Sequence, residues 1–137
     1  MRLSAAEARA RFTASRVARL ATVSASGVPH LVPVTFAVAG DEIVFAVDHK
    51  PKSTTSLRRL ANIAENPSVS FLADAYSDDW TQLWWARADG VARVLDASSR
   101  AEPVSWLVAK YPQYAQHPPE HAVVSTTVHS WHGWAAS

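Results

Sequence analysis

The chain has 137 residues, nearly half of them apolar, and its 13 Lys and Arg against 12 Asp and Glu leave a formal net charge of +1. This length and composition describe one globular domain with a real core, and the near balance of charge excludes a general nucleic-acid binder, which is strongly basic over a whole face. Zero cysteines exclude a disulfide framework and thiolate chemistry, and no apolar run approaches a signal-peptide core or a membrane span, so a soluble, cytoplasmic protein is expected.

Ser4 followed by Glu7 forms a capping box, and the Ala, Glu and Arg beyond it favour a helix to about Phe12. Residues 16–24 (RVARLATVS) read as a strand, Ser26-Gly27 as a hairpin turn, and residues 29–39 (PHLVPVTFAVA) as a second strand. Alternation puts Val32, Val34, Phe36 and Val38 on one side, with Leu31, Pro33, Thr35 and Ala37 on the other. Pro33 lacks an N–H for a ladder bond, which marks this strand as an edge or as locally opened. Gly40-Asp41 then turns the chain into a third strand, residues 42–48, so the first three strands are expected to form an antiparallel meander.

The next stretch, HKPKSTTSLRRLANIAENP over residues 49–67, combines Lys50, Lys52, Arg58 and Arg59 with Ser53, Thr54, Thr55 and Ser56, and has no Asp or Glu before Glu65. Leu57, Leu60, Ala61 and Ala64 recur at helical spacing, and Asn66-Pro67 stops the pattern. Hydroxyls at a helix start beside unopposed cations suit a phosphate, because the first N–H groups of a helix are unpaired and its dipole end is positive. A solvated basic helix face accounts for Arg58 and Arg59 alone; the entry-loop lysines and hydroxyls favour a ligand site. Within it, Leu57, Leu60, Ala61 and Ile63 are expected in the core.

Residues 68–74 form a fourth strand, 75–80 an acidic loop, and 81–95 (TQLWWARADGVARVL) a long extended segment with a bulge or bend at Asp89-Gly90. Residues 98–111 read as a helix with Pro103 near its start, the PQYAQHPPE segment as a loop, and 122–134 as the last strand. Six or seven mostly consecutive strands with three helices give a mainly β, antiparallel barrel with helices at its edges.

Several chemistries find no support. His129 and His132, three apart in a strand, point to opposite faces, and with no Cys and no HExxH-type pair a metal site is not expected. No nucleophile elbow, Rossmann glycine fingerprint or phosphate-binding P-loop is present, and Asp78-Asp79 reads as a solvated acidic turn. Trp84 and Trp85 are consecutive in a strand, so one enters the barrel while the other faces a cleft, a partner subunit or solvent, with Arg87 on the side of Trp85.

Four segments, ARLATVSASGVPHLVPVTF (18–36), EIVFAVDHKPK (42–52), RRLANIAENPSVSFLAD (58–74) and WWARADGVARVL (84–95), together resemble the pyridoxamine-phosphate-oxidase-like split β-barrel family. The resemblance is to its short actinobacterial branch that uses the deazaflavin coenzyme F-420, and it covers most of residues 16–95. It implies an FMN-binding type of split barrel and a homodimer with cofactor sites at the subunit interface, while the charge balance and the short apolar runs argue against a nucleic-acid or membrane partner. It also implies that Lys50, Lys52, Ser53, Thr54, Arg58 and Arg59 hold the cofactor phosphate. The family's usual Lys three residues before the Asn of the N-I-x-x-N-P pattern is Arg59 here, which keeps the charge and changes its geometry. Val32, Pro33, Val34, Thr35 and Val47 would border the ring, and Trp85 and Arg87 would approach it from one subunit or the other.

The implied activity is an F-420-dependent oxidoreductase moving hydride between reduced deazaflavin and an unsaturated or conjugated small molecule, which explains the lack of a catalytic dyad. The alternatives are an FMN-dependent oxidoreductase and a non-catalytic carrier of a flavin or tetrapyrrole. Pyridoxamine-phosphate oxidation ranks below these, since the chain ends soon after Trp134 without an Arg/His substrate motif.

Overall fold

The computed structural model describes residues 1–47 and 58–137, together with the helical backbone of 54–57. Seven strands form one antiparallel sheet: β1 (Ala18–Val23), β2 (Pro29–Val34), β3 (Ala37–Ala39), β4 (Glu42–Ala46), β5 (Ser68–Ala75), β6 (Trp84–Val94) and β7 (Val123–Ala135). Among the described residues four α-helices flank it: α1 (Ala5–Ala14), α2 (Thr54–Glu65), α3 (Ala101–Lys110) and α4 (Pro112–Gln116). The strand order is β2-β1-β5-β6-β7-β4-β3.

That order corrects the expected meander. The segment that reads as one strand over 29–39 breaks at Thr35 and Phe36, and its halves lie at opposite edges of the sheet. Two connecting residues reach only three Cα steps of about 3.8 Å each. The edges must therefore curl toward one another, and the sheet is a split half-barrel. Alternation survives the break: Val34 and Phe36 are buried inward and Val38 packs on the main core, while Ala37 joins Val44, Leu107 and Tyr111 beneath α3. Pro33 lies on the edge strand β2, where a missing N–H costs no ladder bond. The third strand ends at Ala46, two residues short of its expected limit.

The barrel interior is filled by Leu20, Phe36, Ile43, Phe45, Phe71 and Val124, with alanines 86, 88 and 92 of β6 making room for these larger neighbours. Helix α1 plugs one opening. Its capping box is complete, with Ser4 N donating to Glu7 Oε1 at 2.9 Å and Glu7 N to Ser4 Oγ at 3.1 Å. Ala8 and Phe12 enter the core, and Phe12 meets Phe36, Phe71 and Trp131 at ring separations of 4.7, 6.2 and 5.5 Å.

The end of α1, the β2–β3 bend and the end of α3 are tied together. Lys110 Nζ donates to the Ser15 carbonyl at 2.7 Å and sits 3.8 Å from the Phe36 ring centre. Burial and then the Arg16 charge push its pKa down to about 8. The Tyr111 hydroxyl accepts from Phe36 N at 3.1 Å and lies 2.8 Å from the Arg16 carbonyl and 2.9 Å from the Phe36 carbonyl.

The irregularity expected at Asp89-Gly90 is real, and it falls on the partner strand: Asp89 pairs with Ser130 and Gly90 with Val128, leaving His129 as the extra residue. The extra residue inverts the alternation along β7. Val124, Thr126 and Val128 are buried before it, Gly133 and Ala135 after it, and both His129 and His132 are exposed. Simple parity places the two histidines on opposite faces; a bulge adds the half-period that parity omits. Gly90 is required where the strands close up, because a Cβ there would lie 2.4 Å from the Thr127 carbonyl oxygen. Gly90→Ala is expected to lower stability by about 1–3 kcal/mol through overpacking against backbone, read as a lower urea midpoint; an unchanged midpoint would show that β7 shifts freely.

The expected helix at 98–111 is trimmed to α3, because Ser98 and Ser99 instead donate to the Asp96 carboxylate at 2.8 Å each in a tight turn. The segment after it, which reads as a loop, contains α4, where Pro112 stands at the first helical position with its fixed φ and no N–H to waste. Among the described residues, no helix is long and apolar enough to cross a membrane.

Candidate functional site

Helix α2 lies across β1 and β6 and presents an unusual inner face. Arg59 and Asn62 are buried beside Ile63, Leu60 is half-buried, and Ala61 is exposed, which corrects its expected place in the core. Both buried polar residues are used: Asn62 Nδ2 donates to the buried Thr22 hydroxyl at 3.0 Å, and the Arg59 guanidinium stands 5.9 Å from the Phe45 ring centre. Arg58, one residue earlier, is exposed. The helix therefore separates its two arginines, one turned into the barrel mouth and one toward solvent.

Arg59 reaches a cavity of about 240 Å³ where the end of β2 meets the end of β4. Five residues singled out from sequence line it together: Pro33, Val34, Thr35, Val47 and Arg59. Ala46 and Tyr114 complete the wall. Sequence reasoning misses Tyr114 because its segment reads as a loop; a Pro that ends one helix and begins another is the available signal. Its hydroxyl is 3.2 Å from Thr35 Oγ1 and its ring meets Tyr111 edge-on at 5.8 Å, so α4 fixes it at the cavity wall.

The other expected residues fall elsewhere. Val32 is half-buried against the main core and does not line the cavity. Trp85 and Arg87 stand on the outward face of the sheet, beside a cavity of about 680 Å³. Lys50, Lys52 and Ser53 lie outside the described residues, and Thr54 is described only as the first backbone position of α2.

His30 adds a polar group to which sequence reasoning gives a place in a pattern but no role. It pairs with Thr22 across the β1–β2 ladder, and its Nδ1 is buried with no hydrogen-bond partner among the described residues. Burial, then the charges of Arg58 and Arg59, hold its pKa below the usual 6.5. The neutral imidazole thus adds to stability above pH 6.5, and that contribution is lost as the pH falls through the lowered folded-state value. An NMR titration should give a His30 midpoint below 6.5 that rises when a phosphate-bearing ligand offsets the two arginines; a midpoint at or above 6.5 in the free protein would contradict this electrostatic picture.

A buried guanidinium and a slot whose wall combines Pro33, Val34, Ala46 and Val47 with the hydroxyls of Thr35 and Tyr114 suit an anionic, ring-bearing molecule. Among the described residues no three His, Cys, Asp or Glu gather as metal ligands.

The curled seven-stranded sheet with flanking short helices defines a split β-barrel. Residues 4–135 match the family described as pyridoxamine 5'-phosphate oxidase, and the chain belongs to that family. Among solved structures, an FAD-binding protein from Mesorhizobium loti is similar at a TM-score of 0.76 and 18% identity, over 97% of this chain and 95% of that one. The FAD binding protein from Mycobacterium smegmatis matches at 0.67 and 24%, over 98% and 97%. HutZ, the haem storage protein from Vibrio cholerae, matches at 0.71 and 15%, over 97% and 95%. At these identities the likeness is one of fold. No curated protein matches the chain in sequence.

Proposed function

We propose that the chain is an oxidoreductase that binds a flavin-type cofactor, coenzyme F-420 in preference to FMN, and acts on an unsaturated or conjugated small molecule. The observation that carries this reading is the cavity at the β2–β4 junction, which gathers Pro33, Val34, Thr35, Val47 and Arg59 from three separate segments. Family membership and the FAD-binding proteins of the same fold support a flavin-type ligand. The preference for F-420 rests on the four segments between residues 18 and 95 that resemble the deazaflavin branch.

When bound, the cofactor supplies the hydride chemistry, and the protein's part is to bind, orient and exclude water. Arg59, with Arg58, Lys50, Lys52, Ser53 and Thr54 from the same stretch, would hold the anionic group. Val34, Val47 and Pro33 would keep water from the ring. Thr35 and Tyr114 carry hydroxyls that would donate to its polar edge.

A homodimer belongs to the same proposal. The outward sheet face exposes Leu31 and Leu72 around Ala21, with Tyr76 and Trp134 at its margins. A second copy covering this face would hide an apolar surface that a monomer leaves in water. Light scattering should return twice the monomer mass.

The direct test is to add F-420 and FMN separately to the purified protein and follow fluorescence or calorimetry. Micromolar binding of F-420 is expected; binding of FMN with none of F-420 would move the assignment to the FMN alternative, and binding of neither would end it. The haem storage protein of like fold favours a second reading, a non-catalytic flavin or tetrapyrrole carrier. Turnover decides between them: tight binding of reduced F-420 with no reduction across a quinone, biliverdin and enone panel would support the carrier.

A further inference from the structure

Where α1 and α3 end, two cations stand together without an acid. Arg16, just past α1, donates from Nη2 to the Lys110 carbonyl at 3.0 Å. Lys110 Nζ in turn donates to the carbonyls of Ser15 at 2.7 Å and Thr13 at 3.4 Å. Among the described residues no Asp or Glu forms an ion pair with either side chain. After burial, it is the Arg16 charge that lowers the Lys110 pKa to about 8, so each cation feels the other. Like charges held this close disfavour one another until an anion offsets them.

Arg16 is also held in place. Its guanidinium carbon lies 4.8 Å from the Tyr111 ring centre, and the Tyr111 hydroxyl is 2.8 Å from the Arg16 carbonyl. A guanidinium carries five N–H donors, and the bond to Lys110 is the one it makes among the described residues. The side chain lines a cavity of about 440 Å³ together with Val17, Thr35, Tyr111, Gln113 and Tyr114. Thr35 and Tyr114 also line the 240 Å³ cavity that Arg59 reaches, and with their hydroxyl oxygens 3.2 Å apart they form a wall common to both. The other four lie outside that smaller cavity and away from the sheet face given to the second copy. A structural role explains the bond from Arg16 to Lys110. It does not explain an aromatic-walled cavity with unopposed positive charge, set directly beside the cofactor cavity.

From this geometry we infer that the 440 Å³ cavity is the substrate's side of the site and takes a conjugated carboxylic acid, with the carboxylate on Arg16 and the conjugated body against Tyr114, across the Thr35–Tyr114 wall from the cofactor. The word substrate rests on the oxidoreductase reading above; the binding of the acid does not.

The test uses the full chain without added cofactor and two probes, trans-cinnamate and its uncharged methyl ester, titrated by calorimetry. The acid should bind about tenfold or more tighter than the ester, the scale of one charge-assisted hydrogen-bond pair. Arg16→Gln should abolish that preference. Arg93→Gln, which removes an exposed arginine paired with Glu42 at 3.9 Å, takes away the same charge elsewhere and should leave the preference intact. An NMR titration of Lys110 Nζ needs no variant and serves if Arg16→Gln does not fold. Its midpoint, about 8 in the free protein, should rise on saturation with cinnamate, which offsets the Arg16 charge, and stay in place with the ester. Equal binding of acid and ester, binding of neither, a preference that survives Arg16→Gln, or an unmoved Lys110 midpoint would overturn the inference. Arg16-dependent preference for the acid in a protein that binds neither F-420 nor FMN would leave this site standing and remove the redox reading.

Discussion

Arg59→Ala is expected to weaken binding of the flavin-type cofactor by about tenfold to a hundredfold, the loss of roughly 1.5–3 kcal/mol for a hydrogen bond to a charged group. Arg59 is only 8% exposed, and its guanidinium stands near the Phe45 ring while its side chain lines the cavity. The substitution therefore also removes packing by the aliphatic stem, and a modest fall in melting temperature should accompany the loss of affinity. Arg58→Ala supplies the contrast: on the exposed side of α2, it should weaken binding less and leave stability unchanged. Lys52→Ala, in the entry segment, is expected to weaken binding by a similar tenfold to hundredfold with little effect on folding. Fluorescence titration with a parallel thermal melt separates the effects. Wild-type affinity in both Arg59→Ala and Lys52→Ala would place the phosphate elsewhere.

Phe12→Ala should destabilise the domain by about 3–5 kcal/mol, the range for deleting a buried aromatic ring. Phe12 is fully buried and is the single large side chain that α1 commits to the core, where it touches Phe36, Phe71 and Trp131. The void would open beside Phe36, the second residue of the bend that brings β2 and β3 together, so cofactor affinity should fall with stability. Urea denaturation gives the first quantity and cofactor titration of the folded fraction the second. A loss under 1 kcal/mol would show that α1 is an accessory and not the plug of the barrel.

Features set by local pattern are mostly legible from the residues alone. The Ser4/Glu7 capping box, the edge position of Pro33, the opposite orientations of Trp84 and Trp85 and the irregularity at Asp89-Gly90 all appear as expected. Each depends on chemistry within a few positions: a side chain able to cap, a missing N–H, a period of two, a residue without Cβ. The shared cavity of Pro33, Val34, Thr35, Val47 and Arg59 is anticipated only through family resemblance, since nothing in their spacing requires them to meet.

The errors have a common source. Residues 29–39 alternate without interruption, and only the closure of the sheet dictates that the chain must cross from one edge to the other at Thr35-Phe36. The period of two along β7 holds on either side of His129, and only pairing with β6 inserts the half-step that puts His129 and His132 out together. In α2, helical spacing marks Ala61 as core, yet the barrel mouth takes Arg59 and Asn62, because Thr22 offers Asn62 a hydrogen bond and the cavity gives Arg59 room.

Residue order thus decided most of the secondary elements, the family and the set of basic and hydroxyl side chains near residue 50, because capping, alternation and turn chemistry act between neighbours. Which arginine turns inward, which strands meet, and that Tyr114 lines the same cavity as Arg59 were decided by the closing of the sheet. That closure joins residues far apart in the chain, and burial there is set by the space and hydrogen-bond partners the other strands leave.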